Sequence, residues 1–167
     1  MTAIYSFPPL VDDHARVLVL GSMPGKASLA AAEYYAHPRN LFWPIMGELF
    51  GAYPQLSYAE RTRILTDKGL AVWDVLRSCR RDGSLDAAID KASMISNDFA
   101  GFFQRYPLIS HIYFNGATAE QTFRKQAAPI LAGVNLQLLR LPSTSPAHAA
   151  LNFQRKLECW RQITVYL

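Results

Sequence analysis

The sequence predicts an α/β protein, a three-layer α/β/α sandwich around a central four-stranded, mainly parallel sheet. Two observations support this. Short aliphatic and β-branched runs recur along the chain, and each has the length of a buried strand. Longer stretches with helical spacing separate these runs. Because parallel neighbours need crossover connections, this alternation indicates right-handed crossovers and a sheet covered on both faces.

The first half of the chain supplies two predicted strands and two predicted helices. Residues 16–21 (RVLVLG) form the first strand, which ends at a glycine. Residues 41–50 have helical spacing, with Asn40 as N-cap and Pro44 in the first turn. A capping box over 57–60 (SYAE) opens a second helix, which stops at Gly69. The second strand follows over residues 70–75 (LAVWDV).

The second half is predicted to continue the alternation. Ser84 and Ser96 are candidate caps of two helical stretches, and the second stretch ends before Pro107. Residues 109–114 (ISHIYF) form the third strand, closed by Asn115 and a glycine. The remaining predicted elements are a helix over 117–127, a fourth strand over 134–141 and an amphipathic helix over 149–166.

Composition limits the class of protein. Half of the 167 residues are apolar and only 18% are charged, so wholesale disorder is excluded. No repeat or linker divides the chain, and its length suits one domain over residues 1–167. Seventeen basic residues against thirteen acidic ones give a net charge of +4. This mild excess permits a polyanionic partner without requiring one.

The cysteines and the N-terminal residues predict the cellular compartment of the protein. Cys79 and Cys159 lie far apart, without a Cys-x-x-Cys pair, so they cannot form a four-thiolate metal site. We expect free thiols, no metal and a reducing compartment. The first ten residues lack a signal peptide, and no apolar run spans a bilayer. The expectation is a cytoplasmic protein without a membrane partner.

Functional side chains are expected beyond the carboxyl ends of the strands, as in other parallel sheets. Taken singly, these loops have ordinary explanations. Glycines often end strands, Asn40 can serve as a helix cap, and His37 and His148 lack metal-ligand spacing. The loops are 21–25 (GSMPG) with 34–43 (YYAHPRNLFW), 73–74 with Arg77, Arg80 and Arg81, 115–116, and 141–148 (LPSTSPAH).

In combination and in this order, the loops resemble the uracil-DNA glycosylase superfamily. The segment 35–43 (YAHPRNLFW) is similar to its mismatch-specific and hypoxanthine-specific members. The turn 21–25 and the loop 141–146 (LPSTSP) are most similar to the hypoxanthine-DNA glycosylases. The resemblance covers the chain from its first strand to its final helix. It implies that the protein excises a deaminated base from double-stranded DNA.

The resemblance also implies roles for individual residues. Asn40 matches the asparagine that is catalytic in the hypoxanthine branch. Ser22, the hydroxyl residue of the turn 21–25, is the second expected catalytic residue. Tyr35 matches the aromatic residue on which the extracted base stacks. The other expected base-binding residues are Gly21, Met23, Pro24, Gly25, Phe42, Trp73 and Asp74. The expected DNA-binding residues are Lys26, His37, Arg39, Arg77, Arg80, Arg81, Ser143, Thr144, Ser145 and His148.

Two departures from the wider superfamily bear on the substrate. Many members have Asp, Asn or Glu in the first motif, which corresponds to residues 21–25 here, to position water. In this chain the first motif has only Ser22 and Met23 at these places. The uracil-specific enzymes begin the last motif with a histidine, whereas Leu141 stands here. Both departures disfavour an efficient uracil-only enzyme and fit the hypoxanthine branch. They leave the group that activates water unassigned.

The resemblance implies a hydrolytic mechanism without metal or organic cofactor, carried out by a monomer. The damaged nucleotide is flipped out of the duplex. Asp74, or the backbone at 73–74, hydrogen-bonds the N1–H and O6 edge that distinguishes hypoxanthine from adenine. The Asn40 carbonyl orients a water molecule toward C1′. Lys26 is expected to contact phosphate, with Schiff-base chemistry as the alternative.

Three other interpretations remain open at the level of sequence. One is a mismatch-specific uracil or broad deaminated-base glycosylase. A second is a catalytically weak DNA-binding module of the same fold. A third is a flavodoxin-like nucleotide-binding protein, although the turn 21–25 fits neither a Walker loop nor a dinucleotide fingerprint.

Overall fold

A computed structural model describes residues 2–167. This part of the chain forms seven strands: β1 (Ala3–Tyr5), β2 (Val17–Gly21), β3 (Leu70–Asp74), β4 (Leu76–Arg81), β5 (Ile89–Ser96), β6 (His111–Asn115) and β7 (Gln137–Leu141). The same residues form six α-helices: α1 (Lys26–Ala31), α2 (Phe42–Phe50), α3 (Tyr58–Asp67), α4 (Phe99–Arg105), α5 (Ala117–Gln126) and α6 (Phe153–Trp160).

The larger sheet confirms the predicted fold class. Its four strands have the order β3-β2-β6-β7, and all neighbouring pairs are parallel. Every residue of the central strand β2 and of the edge strand β3 is buried, as expected for a parallel sheet with helices on both faces. Because the strands are parallel, Gly21, Asp74, Asn115 and Leu141 end them at the same edge. This edge holds the loops that the sequence singled out.

Helix boundaries follow local chemistry. The predicted capping box is present at α3, where the Ser57 hydroxyl accepts from the Glu60 N–H and the Glu60 carboxylate accepts from the Ser57 N–H. The chain leaves α3 through Gly69, whose φ of 83° suits a residue without a side chain. Helix α6 packs Leu157 and Trp160 into the core.

A second, antiparallel sheet of order β1-β4-β5 was not predicted. The helical stretch expected after Ser84 is absent, and β4 and β5 form a hairpin with a short 3₁₀ turn, Asp86–Ala88. The basic residues of β4 hid its strand character, because two exposed arginines alternate with buried side chains. We refer to residues 76–96 as the β4–β5 hairpin.

Three further boundaries differ from those predicted. Ser96 ends β5, and Asp98 is the N-cap of α4, accepting from the Gly101 N–H at 3.0 Å. Helix α6 begins only after Asn152, whose side chain caps it by accepting from the Arg155 N–H, and a 3₁₀ turn follows it. Strand β7 starts later than predicted because the chain first turns at Gly133, which has a φ of 90°. Helix α1 was missed.

Both cysteines are free thiols in residues 2–167. No helix in this range combines the length and the apolar character needed to cross a bilayer.

Candidate active site

A cavity of about 720 Å³ opens at the carboxyl edge of the larger sheet. Its walls come from all the predicted loops and from the tip of the β4–β5 hairpin. The predicted site residues that line it are Gly21, Ser22, Met23, Pro24, Gly25, Lys26, Tyr35, His37, Arg39, Asn40, Asp74, Ser143, Thr144, Ser145 and His148. The fold therefore brings together most of the residues that the sequence suggested.

Gly21, Tyr35 and Asp74 form the floor of the cavity. A Cβ at Gly21 would lie 2.6 Å from the Asp74 Oδ1 and 3.0 Å from the Tyr35 hydroxyl, so only glycine leaves room for both groups. Tyr35 has a φ of 56°, the left-handed region that a bulky residue rarely adopts. This conformation turns the ring into the site, where its hydroxyl is buried without a hydrogen-bond partner.

Phe42 lies behind Tyr35 rather than in the cavity wall. The two rings stack with centroids 4.0 Å apart, and Phe42 is fully buried. This corrects the expectation that Phe42 contacts the base. It supports the Tyr35 ring from the side opposite the cavity.

Trp73 is also not part of the cavity wall. Its indole N–H donates to the Phe7 carbonyl at 3.1 Å, and its ring packs against Phe99 and Phe102. The expected base contact is therefore corrected for Trp73. The adjacent Asp74 has its carboxyl group in the cavity instead.

Asp74 is a buried carboxyl group without a partner. It is only 4% exposed, and its Oδ2 accepts no hydrogen bond. Burial, and after it the charge of Asp86, raises the pKa of Asp74 to about 7, although the Arg81 guanidinium opposes the rise. Such a group changes charge near neutral pH and offers two oxygen atoms to a ligand.

Asp86 is a cavity residue that the sequence did not reveal. The Ser22 hydroxyl lies 2.8 Å from each of its carboxylate oxygens. Burial raises the pKa of the Asp86 carboxyl, whereas the hydrogen bond from Ser22 and the charge of Arg81 lower it. Recognising the β4–β5 hairpin would have placed this aspartate beside the first motif, but the region was predicted as a helix.

Asn40 lines the cavity at the start of α2. Its side-chain carbonyl accepts from the Phe42 N–H at 2.9 Å, so the predicted capping role is present one residue before the formal N-cap. The Asn40 backbone N–H donates to the His37 carbonyl, closing the turn. Its side-chain NH₂ group makes no hydrogen bond to any other residue from 2 to 167.

The loop over residues 142–148 is held by interactions at several points. Asn115 and Thr144 exchange two hydrogen bonds of 2.9 Å, and Thr144 is fully buried. The Trp160 indole donates to the Pro142 carbonyl, and the buried Lys156 ammonium donates to the His148 carbonyl. The Thr144 side chain therefore fixes the loop, which corrects its expected role as a phosphate contact.

The three arginines of β4 have different environments. Arg77 is exposed, and Arg80 is exposed but forms an ion pair of 2.8 Å with Asp90. Arg81 is 4% exposed and donates to the Pro24 and Gly83 carbonyls. This corrects the expectation that Arg81 contacts phosphate. The guanidinium of Arg81 holds the first motif through the Pro24 carbonyl. It also places a positive charge near Asp74 and near Asp86, a second aspartate of the cavity.

Within residues 2–167, no cluster of three or more His, Cys, Asp or Glu side chains could hold a metal ion. The comparison with protein families matches residues 8–164 to the model described as "Uracil DNA glycosylase superfamily". The chain belongs to the uracil DNA glycosylase superfamily. The match includes all four strands of the larger sheet and every residue named above as lining the cavity.

Relatives within the uracil DNA glycosylase superfamily support the assignment. Two are named hypoxanthine DNA glycosylase. The protein from Methanosarcina acetivorans is 31% identical over 94% of this chain and 95% of its own. The protein from Methanosarcina barkeri is 31% identical over 85% and 86%. A solution NMR structure from M. acetivorans, provisionally named a uracil DNA glycosylase, superimposes with a TM-score of 0.77 at 28% identity. It covers 97% of this chain and 99% of its own.

Proposed function

We propose that this protein is a monofunctional DNA glycosylase that removes hypoxanthine from deoxyinosine in double-stranded DNA. It flips the damaged nucleotide into the cavity, hydrolyses the N-glycosidic bond and leaves an abasic site, acting as a single-domain monomer. The observation that supports this best is the unpartnered Asp74 carboxyl group beside Tyr35 at the cavity floor. The names of its 31% identical relatives point to the same base.

Base recognition is assigned to Tyr35 and Asp74. The Tyr35 ring, backed by Phe42, provides a stacking surface for the purine, which contributes on the order of 1–3 kcal/mol without selecting the base. Ionised Asp74 accepts the N1–H of hypoxanthine. Adenine has a lone pair at N1, which would face the carboxylate and leave both groups unpaired. Discrimination against adenine therefore comes from Asp74.

Asn40 is assigned to catalysis through its NH₂ group. Its carbonyl already accepts the Phe42 N–H, whereas the NH₂ group makes no bond to residues 2–167. Cleavage moves negative charge onto the departing purine, and an N–H donor directed at it stabilises that charge. This proposal replaces the sequence-based one, in which the Asn40 carbonyl oriented water.

DNA binding is assigned to exposed groups at the cavity mouth. Lys26, His37, Arg39 and His148 are exposed and line the cavity. Ser143 and Ser145 also line the cavity, and their hydroxyl groups are assigned to phosphate contacts. Arg77 extends the basic surface beyond the cavity, whereas the ion pair with Asp90 takes up the charge of Arg80.

The test is base release from duplexes that contain one inosine, xanthosine, uridine or adenosine. Inosine duplexes should yield alkali-labile abasic sites, adenosine duplexes none. Ionised Asp74 would also accept the N3–H of uracil, so rapid release from uridine would instead favour a broad deaminated-base glycosylase. A nick without alkali, trapped by borohydride, would show that Lys26 or another amine acts as a nucleophile. An absence of release from every duplex would contradict the proposed function.

A further inference from the structure

Asp86 enters the cavity from outside the parallel sheet. It lies at the tip of the β4–β5 hairpin, and Ser22, its hydrogen-bond donor, follows directly after β2. The tip is fastened to the first motif, because the Lys26 N–H donates to the Ser84 hydroxyl at 2.9 Å. Arg81 makes a second connection through the Pro24 carbonyl. Ser22 and Asp86 are therefore held in a fixed relation.

The environment of Asp86 is not that of a structural ion pair. No lysine or arginine from residues 2–167 lies within salt-bridge distance of its carboxylate. Asp74 of β3, whose Oδ2 has no hydrogen-bond partner, adds negative charge to the same cavity. The other charged or titratable groups that face Asp86 are Arg81 and Cys79 of β4 and Tyr35. A carboxylate in such a place costs stability, which is common where it has a chemical task.

We propose that Asp86 is the catalytic base of the hydrolysis and that Ser22 relays the proton. This inference rests on the proposed glycosylase function. The water oxygen bonds to C1′ as the bond between C1′ and the base nitrogen breaks, and the bonding electrons leave with the base. The water proton passes to the Ser22 oxygen while the Ser22 proton passes to the Asp86 carboxylate. The departing base anion takes a proton from solvent. Asp86 thereby supplies the acid that the first motif lacks.

The first test replaces Asp86 by asparagine, which keeps an oxygen that can accept from Ser22 but cannot take up the proton. Single-turnover release of hypoxanthine should fall at least ~100-fold, the usual contribution of a general base. The matched control is Asp82→Asn, an exposed aspartate of the same hairpin, which should retain the parent rate. Thermal unfolding of each variant checks that it is folded. Parent-like release by Asp86→Asn would overturn the inference.

The pH profile separates a base from a structural anchor. Asp86 must be ionised to act, and so must Asp74, so the parent rate should fall toward acid with a slope approaching two protons. In Asp86→Asn the residual rate should depend on one proton. Because the proton reaches Asp86 only through the Ser22 hydroxyl, Ser22→Ala should lower the rate as Asp86→Asn does, and its residual rate should also depend on one proton. A parent rate with a two-proton acid limb in Ser22→Ala would overturn the inference even if Asp86→Asn did not fold.

Parent activity distinguishes the two proposals. If the parent protein releases no hypoxanthine, the proposed function fails. If it does, and the Asp86 and Ser22 variants match its rate and pH profile, only the role of Asp86 fails.

Discussion

Asn40 combines a structural and a proposed chemical role in one side chain, because its carbonyl accepts the Phe42 N–H while its NH₂ group is left for substrate. Asn40→Ala should cost about 1 kcal/mol of unfolding free energy. It should also lower the single-turnover rate by two or more orders of magnitude, roughly 3 kcal/mol of barrier. Asn40→Asp keeps the capping oxygen and should be stable but slow.

The control for Asn40 is the capping residue Ser57, which lies outside the cavity. Ser57→Ala should lose a similar ~1 kcal/mol of stability and keep the parent rate. Urea unfolding and single-turnover kinetics on the same preparations provide both quantities. Stable and fully active Asn40 variants would show that the catalytic group lies elsewhere.

Asp74 makes stability depend on pH. Its pKa is about 7 in the folded protein, well above the ordinary carboxyl value of 3.8, so the folded state binds its proton more tightly than the unfolded state. This contribution is complete below the unfolded pKa and is lost as pH rises through about 7. Asp74→Asn should therefore gain more unfolding free energy over the parent at pH 8.5 than at pH 4.5, as measured by urea titration. An equal difference at both pH values would contradict the shifted pKa.

At the scale of elements, helix α6 determines the position of the 142–148 loop. The Lys156 ammonium and the Trp160 indole, one turn apart on α6, donate to carbonyls at opposite ends of that loop. Burial lowers the pKa of Lys156, so holding a charged ammonium there opposes folding. The buried ammonium lowers the stability of the fold, but its hydrogen bond holds the 142–148 loop in one conformation at the cavity mouth.

Lys156→Met removes this charge and keeps an unbranched side chain that is one atom shorter. Stability should be unchanged or higher, because a buried charge is replaced by an apolar group. The 142–148 loop loses one attachment, so the Kd for an inosine duplex should rise about tenfold, which corresponds to ~1.4 kcal/mol. Lys125→Met, an exposed lysine of α5, controls for the loss of positive charge. Equal affinities of the two variants would argue against this role.

The elements also show what the sequence could predict. The buried strands β2, β3 and β6 were predicted within two residues at each end, because aliphatic runs in a parallel sheet are distinctive. The β4–β5 hairpin was mistaken for helix because its strands contain arginines, serines and a cysteine, and local preference is weak at such positions. The partnership of Ser22 with Asp86 spans 64 positions and follows only from the fold.

At the scale of the whole molecule, the number of DNA phosphates that the protein can neutralise depends on how many basic residues are exposed and unpaired. Five were expected from the sequence, but Arg81 is buried and Arg80 is paired with Asp90. Lys26, Arg39 and Arg77 are left. With about three phosphates neutralised, the logarithm of the association constant should fall with the logarithm of salt concentration with a slope of about −3.

Fluorescence anisotropy with the slow Asn40→Asp variant and an inosine duplex measures this slope. Replacing Lys26 or Arg39 by glutamine should reduce its magnitude by about one each. An affinity independent of salt would mean that these cations form only a solvated surface.

The pairing of β1 with β4 affects how the protein can be coupled to a reporter or a support. Ala3 to Tyr5 lie beside Arg80 to Ser78, so tension or bulk attached at this terminus acts on the strand that braces the first motif. The other terminus is better suited, because the Leu167 side chain packs near Gly69, at the amino ends of the sheet strands. A dye or fusion partner attached there lies at the edge of the sheet opposite the cavity, so it does not block the binding of the duplex.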